Sequence, residues 1–353
     1  MDRPNHNRRP SKRRRRKKKK STLVNIILTV LKYLGITLGA ILILIILALG
    51  IIFKGPSKAA SKLLVLSMNE TSALKFIPHL YLSSATVDEI LNPAAPTDTF
   101  IELPIASLNT ENGGVEGGDA VSANAEVIEI IDIKGPTFKG KLMLVHDPSL
   151  VMVGSIDNFG NAGMVLSALI DKYNGIGGTN AGGFVDVNGQ GNGGTPDGMV
   201  IRDGKLVFGN AGSRYVDVVG FDADHKLHVG DMTGQEALNA GIVNGTSFTL
   251  GPCLIKDGQR IPNNGSGINP RTAIGQTNDG TIILIAIEGR RPDSLGATFN
   301  DMADILEQYG AINAANLDGG SSSGMYYKGE RITRSSSIVG DRPLPTAIVV
   351  LGK

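Results

Sequence analysis

Apolar and polar positions change rhythm several times along the chain. Apolar residues dominate from Leu23, Lys32 interrupts them, and residues 33–53 then carry no charge. Within that stretch Ile41-Leu42-Ile43-Leu44-Ile45-Ile46-Leu47 is apolar on every side. About 20 apolar residues span a bilayer core, and a helix apolar all round suits lipid. Residues 54–96 show helical character at 59–66 and 72–77, punctuated by Pro78, Pro93 and Pro96. Residues 99–125 have no period. Their Glu111-Asn112-Gly113-Gly114 and Glu116-Gly117-Gly118-Asp119 read as flexible linker, without the fixed spacing of an EF-hand loop.

The pattern turns strand-like near Glu126. Apolar or alternating runs at 127–133, 140–145, 150–153, 281–287 and 345–351 are separated by polar turns. Asp203-Gly204, Asp257-Gly258 and Lys328-Gly329-Glu330 carry hairpin or turn chemistry. Helical spacing returns at 163–173, where Met164, Leu166, Leu169 and Ile170 share a side and Asn161 is the expected N-cap. Thr233 and Glu236 form a capping-box pattern, and 298–309 places Phe299, Met302, Ile305 and Leu306 at core spacing before Gly310. The expected fold class is α+β: a strand-rich domain with a few packed helices, preceded by one transmembrane helix. The expected division is a basic cytoplasmic tail at 1–22, an anchor at 23–53, stalk and linker at 54–125, and the folded domain at 126–353.

Charge sharpens that division. The net charge of +2 hides 13 basic residues up to Lys32 against the single acid Asp2, which leaves 22 basic and 32 acidic residues in the rest. A cationic run from Lys12 to Lys20 just before an apolar span keeps the N-terminus in the cytoplasm and sends the body outside. Anionic lipid headgroups are the expected partner of that tail, and no nucleic acid is invoked. A cleavable signal peptide is the rival reading, but the span is long and lacks a clean Ala-x-Ala site. The one cysteine, Cys253, excludes an intramolecular disulfide framework and reads as a buried small hydrophobe. His146 reads as a partly buried structural residue, and His225 with His228 lacks a third ligand nearby.

Three polar loops interrupt the apolar strands: 180–184, Arg271 with Glu288 and Arg290, and 316–323. Acids can serve as proton donor, base or nucleophile at a glycosidic carbon. Arginine offers a planar fork to phosphate oxygens, and glycine backbone lets a ligand lie close. The plain alternative for Arg271 with Glu288 is an ion pair, and for Asn180 a turn residue.

Asn180-Ala181-Gly182-Gly183-Phe184, Arg271-Thr272-Ala273-Ile274-Gly275, Glu288-Gly289-Arg290 and Asn316-Leu317-Asp318-Gly319-Gly320-Ser321-Ser322 resemble the successive signatures of phosphodiester glycosidase domains. That family includes uncovering-enzyme-like proteins and bacterial proteins related to exopolysaccharide biosynthesis. The resemblance covers roughly residues 127–351. It implies hydrolysis of a sugar-1-phosphodiester, releasing sugar and a phosphomonoester. It points to Asp318 and Glu288 as the acid/base or nucleophile pair, and to Arg271 and Arg290 as phosphate neutralisers. Asn180 and Ser321 would hold sugar hydroxyls, with Gly182, Gly183, Gly319, Gly320 and Ser322 completing the binding loops. Ala181 with a single Phe184, and Ser323-Gly324 before Met325, depart from the commoner pattern, so the sugar is not assigned. No cofactor is required by this reading and no metal ligand is named, though a divalent metal is left open. The expected substrate is a phosphodiester-linked glycan of a Gram-positive envelope. Alternatives are a wall-polymer phosphotransferase of the LytR-CpsA-Psr type and a non-catalytic glycan-binding module.

Overall fold

The computed structural model describes residues 12–71, 74–93, 127–263, 265–337 and 340–352. The start of the basic tail and the 99–125 linker expected from the sequence lie outside the described residues. The chain divides into two compact units, 1–61 and 62–353.

The first unit is dominated by helix α1 (Lys12–Lys54). Its segment Val24–Lys54 has a mean hydropathy of 3.1 over the best window, long and apolar enough to cross a membrane. A signal sequence near an N-terminus meets the same description. The hydroxyls of Thr29 and Thr37 donate back to the carbonyls of Asn25 and Tyr33, four residues earlier. Those bonds hide the polar atoms that would otherwise oppose burial in lipid.

The second unit is α+β, as its strand and helix periods predict. A seven-stranded antiparallel sheet runs Ile128–Lys134, Lys139–Val145, Ile282–Ile287, Arg271–Thr277, Ala311–Leu317, Cys253–Lys256, Gln259–Arg260. Two five-stranded sheets pack with it. One centres on Gly175–Asn180 and Thr346–Leu351, the other on Asn244–Ser247 and Arg214–Phe221. The strand Ile282–Ile287 is apolar throughout because both of its faces are covered. Ile282, Leu284 and Ala286 join the core shared with the other sheets, whereas Ile283, Ile285 and Ile287 face the helix side.

The helices follow local chemistry. In order after α1 they are α2 (Lys58–Asn69), α3 (Ser84–Leu91), α4 (Leu166–Lys172), α5 (Gly234–Asn239) and α6 (Phe299–Gln308). Residues of α2 from Lys62 onward belong to the second unit. α6 begins with a capping box in which Thr298 and Asp301 exchange hydrogen bonds. It ends at Gly310, whose φ of +77° suits glycine. Its Met302, Ile305 and Leu306 are buried against the large sheet. Thr233 and Glu236 cap α5 in the same way. α4 differs from expectation. It starts later, with Val165 at its N-cap and no side-chain cap bond. Asn161 and Gly163 instead face the 192–194 segment, where a Cβ on Gly163 would lie 2.4 Å from the Gly193 carbonyl. Three hairpin turns, Asp203-Gly204, Asp257-Gly258 and Lys328-Gly329, have positive φ at both residues, the geometry that fits the twist of paired strands.

Ile285 is fully buried between the sheet and α6. Ile285→Ala should lower the unfolding free energy by about 2–5 kcal/mol through lost burial and an unfilled cavity. Denaturant titration of the full chain in detergent measures it.

Candidate active site

The 318–323 loop sits where several elements converge. The Ala311–Leu317 strand is paired on one edge with Arg271–Thr277 and ends at Leu317 opposite Thr272. Asp318 follows, and its N–H donates to the Ala181 carbonyl at 2.9 Å. Gly319-Gly320 then turns the chain beside Pro270. The Gly320 N–H donates to the Pro270 carbonyl at 2.9 Å, and Gly320 has a φ of +62°.

Asn180 bolts this loop down. Its Nδ2 donates to the Asp318 carbonyl at 2.5 Å, and its Oδ1 accepts from Thr272 Oγ1 at 2.8 Å and from the Gly324 N–H at 3.1 Å. The side chain is completely buried. Its bonds are internal, and they brace the loop from beneath. Gly182 and Gly183 also serve close approach within the protein. A Cβ on Gly182 would lie 2.3 Å from Thr246 Oγ1, and one on Gly183 would lie 2.5 Å from Asp197 Oδ2 and 2.6 Å from the Phe248 ring.

Asp318 is half-buried beneath the loop it opens. Burial pushes its carboxyl up to about 7, the Asp197 charge adds to this, and the Ser322 hydroxyl, the Gly319 N–H and Arg342 oppose it. Asp197 is also raised, mainly by burial, against a hydrogen bond from Thr249. Thr249 Oγ1 donates to Asp197 Oδ2 at 2.5 Å, while Asp197 Oδ1 is buried without a protein donor. Arg342 completes the group. It holds Asp186 through two bonds of 2.7 and 2.9 Å and lies 4.7 Å from the centre of the Phe184 ring.

The other expected residues separate into two places. Glu288 is buried and spends both oxygens on Arg334, accepting from its N–H at 2.8 Å and its Nε at 2.6 Å. Arg271 is buried over the Phe299 ring, and it donates to the Ala297 and Gly267 carbonyls and, at 2.5 Å, to Glu70. The Arg271–Glu288 ion pair considered from the sequence therefore does not form. Each residue has another partner. Arg290 is exposed, with Nη2 near Thr71 and Asn269, and 3.2 Å from the position a Cβ of Gly320 would take. Its charge is felt by Asp318 and Glu70. Ser322 bonds Asp318, while Ser321 occupies the short turn Gly320–Ser322.

Asp197, Arg342 and Glu70 escaped the sequence reading. Asp197 lies in a Gly-rich stretch, Gly193-Gly194-Thr195-Pro196-Asp197-Gly198, which reads as loop. Arg342 follows Asp341 ahead of Pro343, and Glu70 precedes the body altogether. Burial also pushes the Cys253 thiol up to about 12, with the nearby Asp217 charge contributing, in keeping with an inert thiol. Among the described residues, no three His, Cys, Asp or Glu side chains gather in a group that could hold a metal.

A family model described as phosphodiester glycosidase matches residues 173–351, just over half of the chain. The chain is 33% identical over 151 residues to the SPbeta prophage-derived uncharacterized protein YomE of Bacillus subtilis, covering 39% of this chain and 23% of that one. It is 28% identical over 144 residues to the mouse N-acetylglucosamine-1-phosphodiester alpha-N-acetylglucosaminidase, covering 36% of this chain and 28% of that one. The matched regions thus span about a quarter of these relatives' own length. Its fold is similar to that of the zebrafish N-acetylglucosamine-1-phosphodiester alpha-N-acetylglucosaminidase catalytic domain, auto-inhibited by its pro-peptide. That similarity has a TM-score of 0.54 at 24% identity, over 66% of this chain and 86% of that one.

The raised Asp318 value has a consequence for stability. The folded protein binds this proton more tightly than the unfolded chain, whose carboxyl has the ordinary value of 3.8. The contribution is therefore fully present below 3.8 and is lost as pH rises through about 7. Asp318→Asn should melt higher than the unsubstituted protein at pH about 8, with a smaller gap at pH about 5. Thermal melts at both pH values check this, and a gap that narrows with rising pH contradicts it.

Proposed function

We propose a function from one premise: this chain belongs to the phosphodiester glycosidase family. The proposed reaction is hydrolysis of a sugar-1-phosphodiester. Water adds across the bond between the anomeric carbon and the phosphate oxygen, giving free sugar and a phosphomonoester. The observation that carries this reading is the pairing of Asp318, with a carboxyl pushed up to about 7, and the raised carboxyl of Asp197 beside it. A carboxyl near 7 is about half protonated at neutral pH and can give its proton to a leaving oxygen. Asp318 then acts as the acid. Asp197, steadied by Thr249, takes the proton of the attacking water or bonds the anomeric carbon. Inversion or retention at the released sugar distinguishes these two roles. Arg290 and Arg342 supply positive charge near Asp318, suited to the phosphate. Glu288, occupied by Arg334, acts in this scheme as a strut.

The apolar helix and its basic flank support a single-pass anchor with the N-terminus in the cytoplasm and the body outside. We place the substrate in a phosphodiester-linked glycan of a Gram-positive envelope or its exopolysaccharide. The chemistry drawn uses side chains alone, so EDTA should leave the rate unchanged.

The test is incubation of the purified full chain with an N-acetylglucosamine-1-phosphodiester and other sugar-1-phosphodiesters. Free sugar with a phosphomonoester supports the reading. Transfer to an acceptor without free sugar would favour a phosphotransferase, and binding without turnover a glycan-binding module. Asp318→Asn should reduce kcat by about 10²–10⁴-fold. Undiminished turnover in that variant, with the fold intact, rules out Asp318 as the acid.

A further inference from the structure

Glu70 and Thr71 stand outside the matched domain and outside the chemistry above, yet they touch its arginines. Glu70 Oε2 accepts from Arg271 Nη2 at 2.5 Å and from Asn269 Nδ2 at 3.0 Å, and Oε1 accepts from the Gly267 N–H at 2.8 Å. Asn269 Oδ1 in turn accepts from Arg290 Nη2 at 3.5 Å, and Thr71 Oγ1 accepts from the same nitrogen at 3.2 Å. The contact is tightly built. Ser67 Oγ accepts from the Ile268 N–H at 2.9 Å, and a Cβ on Gly267 would lie 2.2 Å from the Ser67 backbone. Val65 is fully buried on the same helix.

Resting on the phosphodiester glycosidase reading, we propose that Glu70 and Thr71 are positioning residues of the active site. Glu70 orients Asn269 and Arg271, and Asn269 together with Thr71 aims the Arg290 guanidinium at the 318–322 loop. The segment preceding the matched domain is thereby part of the catalytic unit.

A carboxylate on an arginine pair could instead be a plug standing where phosphate belongs. The surroundings of Arg271 favour positioning. Its other donors serve the Ala297 and Gly267 carbonyls and its face covers Phe299. Withdrawing Glu70 would leave a buried cation without its counter-charge, with the Gly267 N–H and Asn269 Nδ2 losing their acceptor as well.

The charged groups acting on Asp318 are Asp197, Arg342 and Arg290. Of these, only Arg290 is held by Thr71, and Thr71→Val removes that bond, together with the local bond from the Thr71 hydroxyl to the Ser67 carbonyl at 3.1 Å, without changing any charge. The experiment compares the unsubstituted full chain, Glu70→Gln and Thr71→Val in detergent. It records melting temperature, kcat and KM across pH, and the ¹³C titration of the Asp318 carboxyl without substrate. Both variants should lower kcat/KM about tenfold or more. Thr71→Val should melt like the parent and move the Asp318 titration, and with it the basic limb of the rate, to higher pH as Arg290 drifts away. An unmoved Asp318 titration in Thr71→Val overturns the proposal. So does a rise in activity in Glu70→Gln, which identifies a plug. The substrate-free titration decides the positioning claim by itself. Absence of sugar release from the unsubstituted chain counts against the parent reading alone.

Discussion

One buried amide holds the candidate site together. Asn180 ends the central strand of one sheet, accepts a hydrogen bond from Thr272 on another, and donates to the carbonyl of Asp318 while accepting from Gly324. The side chain is inaccessible to solvent, so losing a partner would leave a polar atom without water to replace it. This three-way joint fixes where the Asp318 backbone lies relative to both sheets. The carboxyl chemistry follows from that placement. An Asp318 side chain free to turn into water would titrate in the ordinary carboxylate range.

Gly182 and Gly183 belong to the same constraint. The missing Cβ of Gly183 makes room for the Asp197 carboxylate and the Phe248 ring. The Asp197 carboxylate can therefore pack directly against the strand end at 180–183. The glycine pattern that suggested a ligand cradle is used to let side chains of the protein pack close to the backbone. That is a different physical reason for the same residues, and sequence alone does not separate the two.

Much of the fold was legible because it rests on short-range rules. α6 was marked by its apolar spacing and Gly310, α5 by its capping box, and the hairpins at Asp203, Asp257 and Lys328 by turn chemistry. The apolar run ending at Ile287 marked a strand buried on both faces. α4 was less legible, because its start is set by the packing of Gly163 on Gly193, some thirty residues away. Of the site, Asp318, Arg290 and the glycine loops were visible as motifs. Asp197 and Arg342 were hidden because the residues they meet are far off in sequence. Glu288 and Arg271 illustrate the converse. They end neighbouring strands in register, Arg271 opposite Ile287, yet their side chains turn to Arg334 and Glu70. Strand pairing brings backbones together and leaves the choice of ion partner to packing.

The docking of α2 bears on where the protein can be cut. The strand pattern begins near residue 127, and a soluble fragment opened there looks natural from the sequence. Such a fragment would lose Ser67 from the 267–268 loop and strip the counter-charge from Arg271. It would expose a patch shaped to receive a helix and would be prone to poor expression and self-association. A fragment opened at or before Lys62 keeps these contacts, so the packed unit is larger than the region its family pattern marks.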